Sequence, residues 1–109
     1  MTKELSHDEK KEMRERIERI DDEISELNSN IRKINEELED INNLKGKADR
    51  TYDEILEYWK GEPAFNVLSE ADEERREQFR MLIQNREDEL EEASSKRKSL
   101  IDKREENQR

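Results

Sequence analysis

The chain has 109 residues, of which half are charged and 28% are apolar, and its net charge is −10. A chain of this length predicts one domain. The absence of Cys excludes disulfides and thiolate chemistry. The acidic balance argues against nucleic acid, which rewards arrays of Lys and Arg, so the expected partner is a protein. No apolar run approaches the roughly 18 residues that cross a bilayer, and no membrane insertion is expected.

The first half of the chain predicts one long helix over about residues 6–58. Ser6 and Glu9 have the spacing of a capping box at its start. Beyond them, apolar residues are separated alternately by four and three positions, the heptad pattern of a seam between helices. These seam residues are Ile17, Ile20, Ile24, Leu27, Ile31, Ile34, Leu38 and Ile41.

The apolar pattern then changes phase. It continues through Leu44, Ala48, Tyr52, Ile55 and Trp59. The residues at positions 38, 41 and 44 are separated by two successive steps of three. This break in the alternation predicts a local change in the direction of the apolar stripe or of the helix axis. If the first helix is not continuous, the kink or break is expected at Gly46, which lies beside this slip.

A turn is predicted over about residues 59–64. Gly61 tolerates backbone angles that other residues avoid, and Pro63 suits the first turn of a helix. A second helix is expected over about residues 65–106. Two starts remain open: Pro63 as the first helical residue, or Ser69 as the cap of a helix that opens at Glu70. In the second case residues 62–68 form a small apolar loop.

The apolar stripe of the second helix is less regular. It is interrupted by four charged residues, Asp72, Arg75, Arg86 and Arg97. We therefore predict an all-α, antiparallel two-helix hairpin with coiled-coil-like packing, forming one domain over residues 1–109. One seam buries little surface, so we expect the hairpin to complete a four-helix bundle with a partner.

Enzymatic function is not expected. The single His lies near the start of the chain, far from any triad partner, and no Gly-rich loop is available to hold a phosphate. We accordingly predict no catalytic residue, no cofactor and no metal site.

The centre of the chain resembles a known family. Trp59, Lys60 and Gly61 form a central Trp-x-Gly, flanked by Tyr58 and Phe65. This arrangement resembles the WXG superfamily, the small helical hairpins exported by type VII secretion systems. The resemblance implies dimerisation into a four-helix bundle, with itself or a different protein, and recognition by a membrane-bound secretion ATPase. It makes Trp59, Gly61, Tyr58 and Phe65 the candidate turn and partner-binding residues.

Two features indicate which members of this superfamily the chain resembles most. The chain carries no Tyr-x-x-x-Asp/Glu export signal after its second helix, and it is unusually charged. In this it is similar to the small helical partners of LXG-type toxins in the type VIIb branch. Those partners bind the toxin's helical N-terminal domain and target it to the secretion machine. The implied location is the cytoplasm, with export alongside the partner. The alternative is a cytoplasmic homodimeric coiled-coil scaffold or a prefoldin-like holdase.

Overall fold

The computed structural model describes residues 6–108, and these residues form two α-helices and no strand. Helix α1 spans His7–Trp59 and helix α2 spans Phe65–Gln108. A short turn over residues 60–64 joins them. The predicted all-α class is therefore confirmed.

Helix α1 begins at a side-chain cap and is continuous to the turn. The Glu9 N–H donates to the Ser6 hydroxyl oxygen across 3.1 Å, which satisfies one of the free donors of the first turn. The backbone is helical on both sides of Gly46, so the helix does not break at this residue. A single glycine weakens a helix by about 1 kcal/mol relative to alanine, which is too little to end one that packs along its length.

Helix α2 begins at Phe65, the approximate start expected for it, and at neither Pro63 nor Glu70. Pro63 lies before the helix, inside the turn. Ser69 lies within the first turns of the helix and is not its cap. The Leu68 N–H donates to the Ala64 carbonyl oxygen across 3.0 Å, so helical hydrogen bonding is established well before Glu70.

The described chain divides into two compact units, each built from a segment of both helices. Ile34–Leu90 form the first, called here the turn unit because it contains the turn. Residues 6–33 and 91–108 form the second, called the terminal unit. The single-domain organisation stays a prediction.

In the turn unit the two helices run antiparallel. Arg75 Nη2 donates to Asp49 Oδ1 across 2.9 Å, and Arg86 Nη1 donates to Glu37 Oε2 across 3.0 Å. From Arg75 to Arg86 the position on α2 advances by 11 residues, while from Asp49 to Glu37 the position on α1 goes back by 12 residues. This is the register of an antiparallel helical pair.

The terminal unit has the same antiparallel arrangement. Arg97 Nη1 donates to Asn28 Oδ1 across 3.0 Å, and Arg104 Nε donates to Asp21 Oδ1 across 2.5 Å. Each unit is thus a two-helix layer, and the predicted antiparallel hairpin is confirmed. Within residues 6–108 only Ile20 and Asp72 are buried, so neither unit has a deep core.

Candidate functional site

The Trp-x-Gly step forms the first of two consecutive tight turns. The Glu62 N–H donates to the Trp59 carbonyl oxygen across 2.9 Å, which closes a four-residue turn. Gly61 occupies its third position with φ at 86°, the positive value that a type II turn requires there. A Cβ at Gly61 would meet nothing within 4 Å. The glycine is therefore needed for its backbone conformation and not for space.

Pro63 belongs to the second turn. The Phe65 N–H donates to the Glu62 carbonyl oxygen across 3.0 Å. This places Pro63 second in the turn, the position for which its fixed φ is suited. The two turns together reverse the chain and lead directly into α2.

The aromatic residues of the motif are largely open to solvent. Tyr58 is 80% exposed and Trp59 is 39% exposed, whereas Phe65 is half-buried. The Tyr58 and Trp59 rings contact each other edge to face, with centroids 5.6 Å apart. The indole thus has one aromatic neighbour and is partly exposed, a combination typical of residues that anchor protein interfaces.

The predicted seam of α1 is covered only in part. Ile20 is buried, and the other seven seam residues, Ile17, Ile24, Leu27, Ile31, Ile34, Leu38 and Ile41, are half-buried. Fully burying an Ile or Leu side chain contributes about 1.5–3 kcal/mol, and half-burial contributes a corresponding fraction. Within each unit the stripe therefore retains apolar area that its own α2 segment leaves uncovered.

The predicted phase slip at Leu44 is wrong. Leu44 is 59% exposed, and the partly covered residues continue instead through Lys45 and Ala48. With Lys45 in place of Leu44, the three-four alternation is unbroken after Ile41. The Lys45 aliphatic stem covers the seam while its Nζ reaches Asp49 Oδ2 across 2.9 Å. An apolar residue beside the seam was mistaken for a member of it.

Charged residues that seemed to interrupt the stripe of α2 are part of its contact face. These residues, Asp72, Arg75, Arg86 and Arg97, are buried or half-buried, and each hydrogen-bonds a partner within its unit. Arg104 continues the series in the terminal unit. The contact face of α2 thus mixes charged and apolar residues, whereas that of α1 is mainly apolar. From Asp72 to Arg104, successive residues of this series are three, eleven, eleven and seven positions apart. Each of these spacings brings residues to the same side of a helix, so the sequence contained a signal for their place in the contact face.

The densest polar contact lies in the turn unit around Asp72. Its Oδ1 accepts from Arg75 Nε across 3.2 Å, and its Oδ2 accepts from Arg76 Nε across 3.0 Å. Arg75 also donates to Asp49, which joins the two helices. Arg76 Nη2 reaches Asp53 Oδ1 across 3.2 Å. Two arginines are therefore shared among three carboxylates.

Aromatic rings complete the surroundings of Arg75. Its guanidinium carbon lies 4.8 Å from the centroid of Tyr52 and 5.9 Å from that of Phe79. Arg75 Nη1 is buried without a hydrogen-bond partner within the described residues. The ring faces offer cation–π attraction, which offsets part of that missing hydrogen bond.

The network changes the acidity of its members. Burial alone would raise the pKa of Asp72, but hydrogen bonds from Arg75 and Arg76 outweigh it and lower that pKa. Hydrogen bonds from Lys45 and then Arg75 lower the pKa of Asp49. Both carboxylates are therefore held in the charged form, as structural ion pairs require.

Comparison of the chain with protein-family models, with curated proteins and with solved structures gives no match. Within residues 6–108, neither helix holds a stretch long and apolar enough to cross a membrane. The same residues contain no group of three or more His, Asp or Glu side chains placed to hold a metal ion. The candidate site is accordingly a pair of surfaces: the stripe of α1 and the aromatic turn.

Proposed function

We propose that this chain is a helical partner protein that binds the helical N-terminal domain of an LXG-type toxin and targets it to a type VIIb secretion system. In this role it has no catalytic activity and needs no cofactor. Its mechanism is recognition: the stripe of α1 packs against helices of the cargo, and the turn residues Tyr58, Trp59, Gly61 and Phe65 take part in partner contact. The complex then presents a joint surface to the secretion ATPase.

The observation that carries this proposal is the unequal match between the two helices. Seven of the eight seam residues of α1 are only half-buried, and the α2 segments opposite them carry the half-buried residues Arg86, Arg97 and Arg104. Packing against further helices would cover the remaining apolar area, and four-helix bundles are built in this way. The central Trp-x-Gly, in a turn whose glycine has positive φ, supports the resemblance to the WXG superfamily.

A second copy of the chain could cover the same stripe, and this favours the homodimeric scaffold as the second candidate. A prefoldin-like holdase has less support. Prefoldin subunits carry β-hairpins between their helical arms, whereas residues 60–64 here form only two tight turns.

Native affinity purification of the chain, with mass spectrometry of the eluted complex, tests the proposal. We expect one larger protein with a helical N-terminal domain, in fixed stoichiometry. Recovery of the chain alone as a dimer would support the scaffold instead.

A matched pair of variants locates the interface. Ile24→Asp places a charge in the half-buried seam and should abolish the association. Ser25→Asp introduces the same charge at the neighbouring exposed position and should leave the association intact. If Ile24→Asp keeps its helicity and still recovers its partner normally, the stripe is not the interface.

A further inference from the structure

The net charge of the chain is concentrated in the turn unit. Ile34–Leu90 carry eight Lys and Arg against seventeen Asp and Glu, a net charge of −9. The rest of the chain carries fourteen against fifteen, a net charge of −1. Acidic surfaces attract basic partners and accelerate their encounter. The turn unit is therefore the part of the chain that attracts basic partners most strongly.

Within that unit the excess lies next to the turn. Residues 53–74 contain eight Asp and Glu and a single basic residue, Lys60. Asp53 and Asp72 are paired with Arg76. The remaining six are exposed and make no ion pair within the described residues: Glu54, Glu57, Glu62, Glu70, Glu73 and Glu74. These charges have no partner in the fold that explains them.

The C-terminal end of α1 adds to the negative electrostatic potential near the turn. Its last turn contains no basic residue, although Lys or Arg there would complement the negative end of the helix dipole. Glu57 stands in that turn instead. A cation supplied by another molecule would therefore meet both the carboxylates and the helix end.

An exposed aromatic face lies beside these carboxylates. Asp53, Glu54, Glu57 and Tyr58 line one shallow concavity of the surface. Tyr58 is 80% exposed and its ring touches that of Trp59, which is 39% exposed and adds to the aromatic surface. Carboxylates next to an aromatic face suit a Lys or Arg head group, which gains ion pairing and cation–π attraction together.

We propose that this turn surface, formed by Asp53, Glu54, Glu57, Tyr58 and Trp59, docks a Lys- and Arg-rich segment of a partner protein. Basic side chains of the segment lie against the carboxylates and Tyr58, and an apolar side chain packs on Trp59. The inference rests on the proposed function in that it names the chemistry of the partner at the turn. It does not require that partner to be the protein bound by the stripe of α1.

Trp59 is the only Trp of the chain, so its fluorescence reports on this surface directly. The probe is a synthetic Trp-free amphipathic peptide of about 18 residues, or about five helical turns, with Lys on one face and Leu on the other. The comparison peptide has Glu in place of every Lys. We expect a saturable change in Trp59 emission with the Lys peptide only, weakening as ionic strength rises.

Paired variants decide whether the binding is local. Glu54→Gln combined with Glu57→Gln should weaken the apparent Kd about tenfold, since two exposed ion pairs of modest strength are lost together. Glu36→Gln combined with Glu39→Gln removes the same charge from exposed positions of the turn unit away from the turn, and should change the Kd less than about twofold. Tyr58→Ala should weaken binding as well.

Three results would overturn the inference: no saturable response to the Lys peptide, an equal response to the Glu peptide, or equal losses in the two charge variants. Ile24→Asp separates this inference from the proposed function. It should leave peptide binding unchanged, and a matching loss there would mean that the peptide occupies the α1 stripe and not the turn. Failure to find a toxin partner would leave the peptide result standing.

Discussion

Arg75 of α2 donates from Nη2 to Asp49 of α1 across 2.9 Å while the same guanidinium holds Asp72 on its own helix. This ties the two helices of the turn unit together at a position where the seam would ordinarily be apolar. The arginine thus has two tasks: it neutralises a buried carboxylate, and it contributes one of the contacts that join α1 to α2.

Removing the carboxylate at the centre of this network should be costly. We expect Asp72→Ala to lower the free energy of unfolding by about 2 kcal/mol, because Arg75 would remain half-buried without its nearest acceptor. Urea denaturation followed by circular dichroism measures the change. Glu73→Ala, at the adjacent exposed and unpaired position, is the control and should lie within about 0.5 kcal/mol of the wild type. Equal effects would contradict this role for Asp72.

Acid should weaken the same network. The pKa values of Asp49 and Asp72 are lowered in the folded chain, so their contribution is fully present above the unfolded Asp pKa of about 3.9 and is lost as pH falls below it. Protonation of other carboxylates also relieves repulsion within this acidic chain. The informative quantity is therefore the difference in unfolding free energy between the wild type and the double variant Asp49→Asn, Asp72→Asn. That difference should shrink from pH 6 to about pH 3; a constant difference would show that the pairs do not titrate with folding.

Replacing each of the two glycines by alanine should change the free energy of unfolding in opposite directions. Gly46→Ala should raise the free energy of unfolding by about 1 kcal/mol, because the residue is helical and the new Cβ would meet only Arg50 Nη1, at 3.9 Å. Gly61→Ala should lower it by about 1–2 kcal/mol, because alanine is strained at positive φ. Thermal unfolding of both variants provides the measurement, and a shift of the same sign in both would rule out this account.

Loss of the indole should loosen the turn and leave the helices formed. Trp59 is 39% exposed, so we expect Trp59→Ala to cost about 1–2 kcal/mol and to preserve the far-ultraviolet helical signal at low temperature. Lys60→Ala, at the neighbouring exposed position, serves as the control. A global loss of helicity in Trp59→Ala would show that the indole acts mainly as a structural residue.

Replacing a charged residue in the contact face of α2 by an apolar one should stabilise the folded chain. Arg97→Leu exchanges a half-buried arginine for a residue that fits the apolar stripe, at the cost of one hydrogen bond to exposed Asn28. We expect a gain of about 0.5–1 kcal/mol in the free energy of unfolding, since apolar replacements of partly buried charges are often stabilising. Lys98→Leu at an exposed position should give no such gain. A loss in Arg97→Leu would mean that the arginine itself stabilises the terminal unit.

Prediction from the sequence worked best where the pattern was long and apolar. The eight seam residues of α1 recur at three-four spacing and do lie in its partly covered face. The turn was also predictable, because Gly61 and Pro63 each permit few alternatives. The start of α2 was predictable only approximately. Phe65 agrees with the expected bound of about residue 65, but Pro63 and Ser69 are also compatible with an early helical turn, and the backbone hydrogen bonds decide among the three.

Two assignments failed because hydrophobicity was taken as the sole sign of a contact position. The apolar pattern predicts Leu44 in the seam, whereas Leu44 is exposed and Lys45 beside it is half-buried. On α2, Arg75 was taken to interrupt the stripe. Long cationic side chains can cover apolar surface with their stems and pair with a carboxylate at their ends, so they occupy positions that a binary pattern reserves for leucine.

By itself, the amino-acid sequence determined the helical class, the reversal at Gly61 and the apolar stripe of α1. These depend on local backbone preference and on periodicity, both of which are written along the chain. Only the tertiary structure decided which residue of α1 each contact-face arginine of α2 meets, that Leu44 faces solvent, and that Tyr58 is exposed while Asp72 is buried. Those outcomes depend on the register between two distant segments, which is set by the summed fit of many weak contacts across the helices.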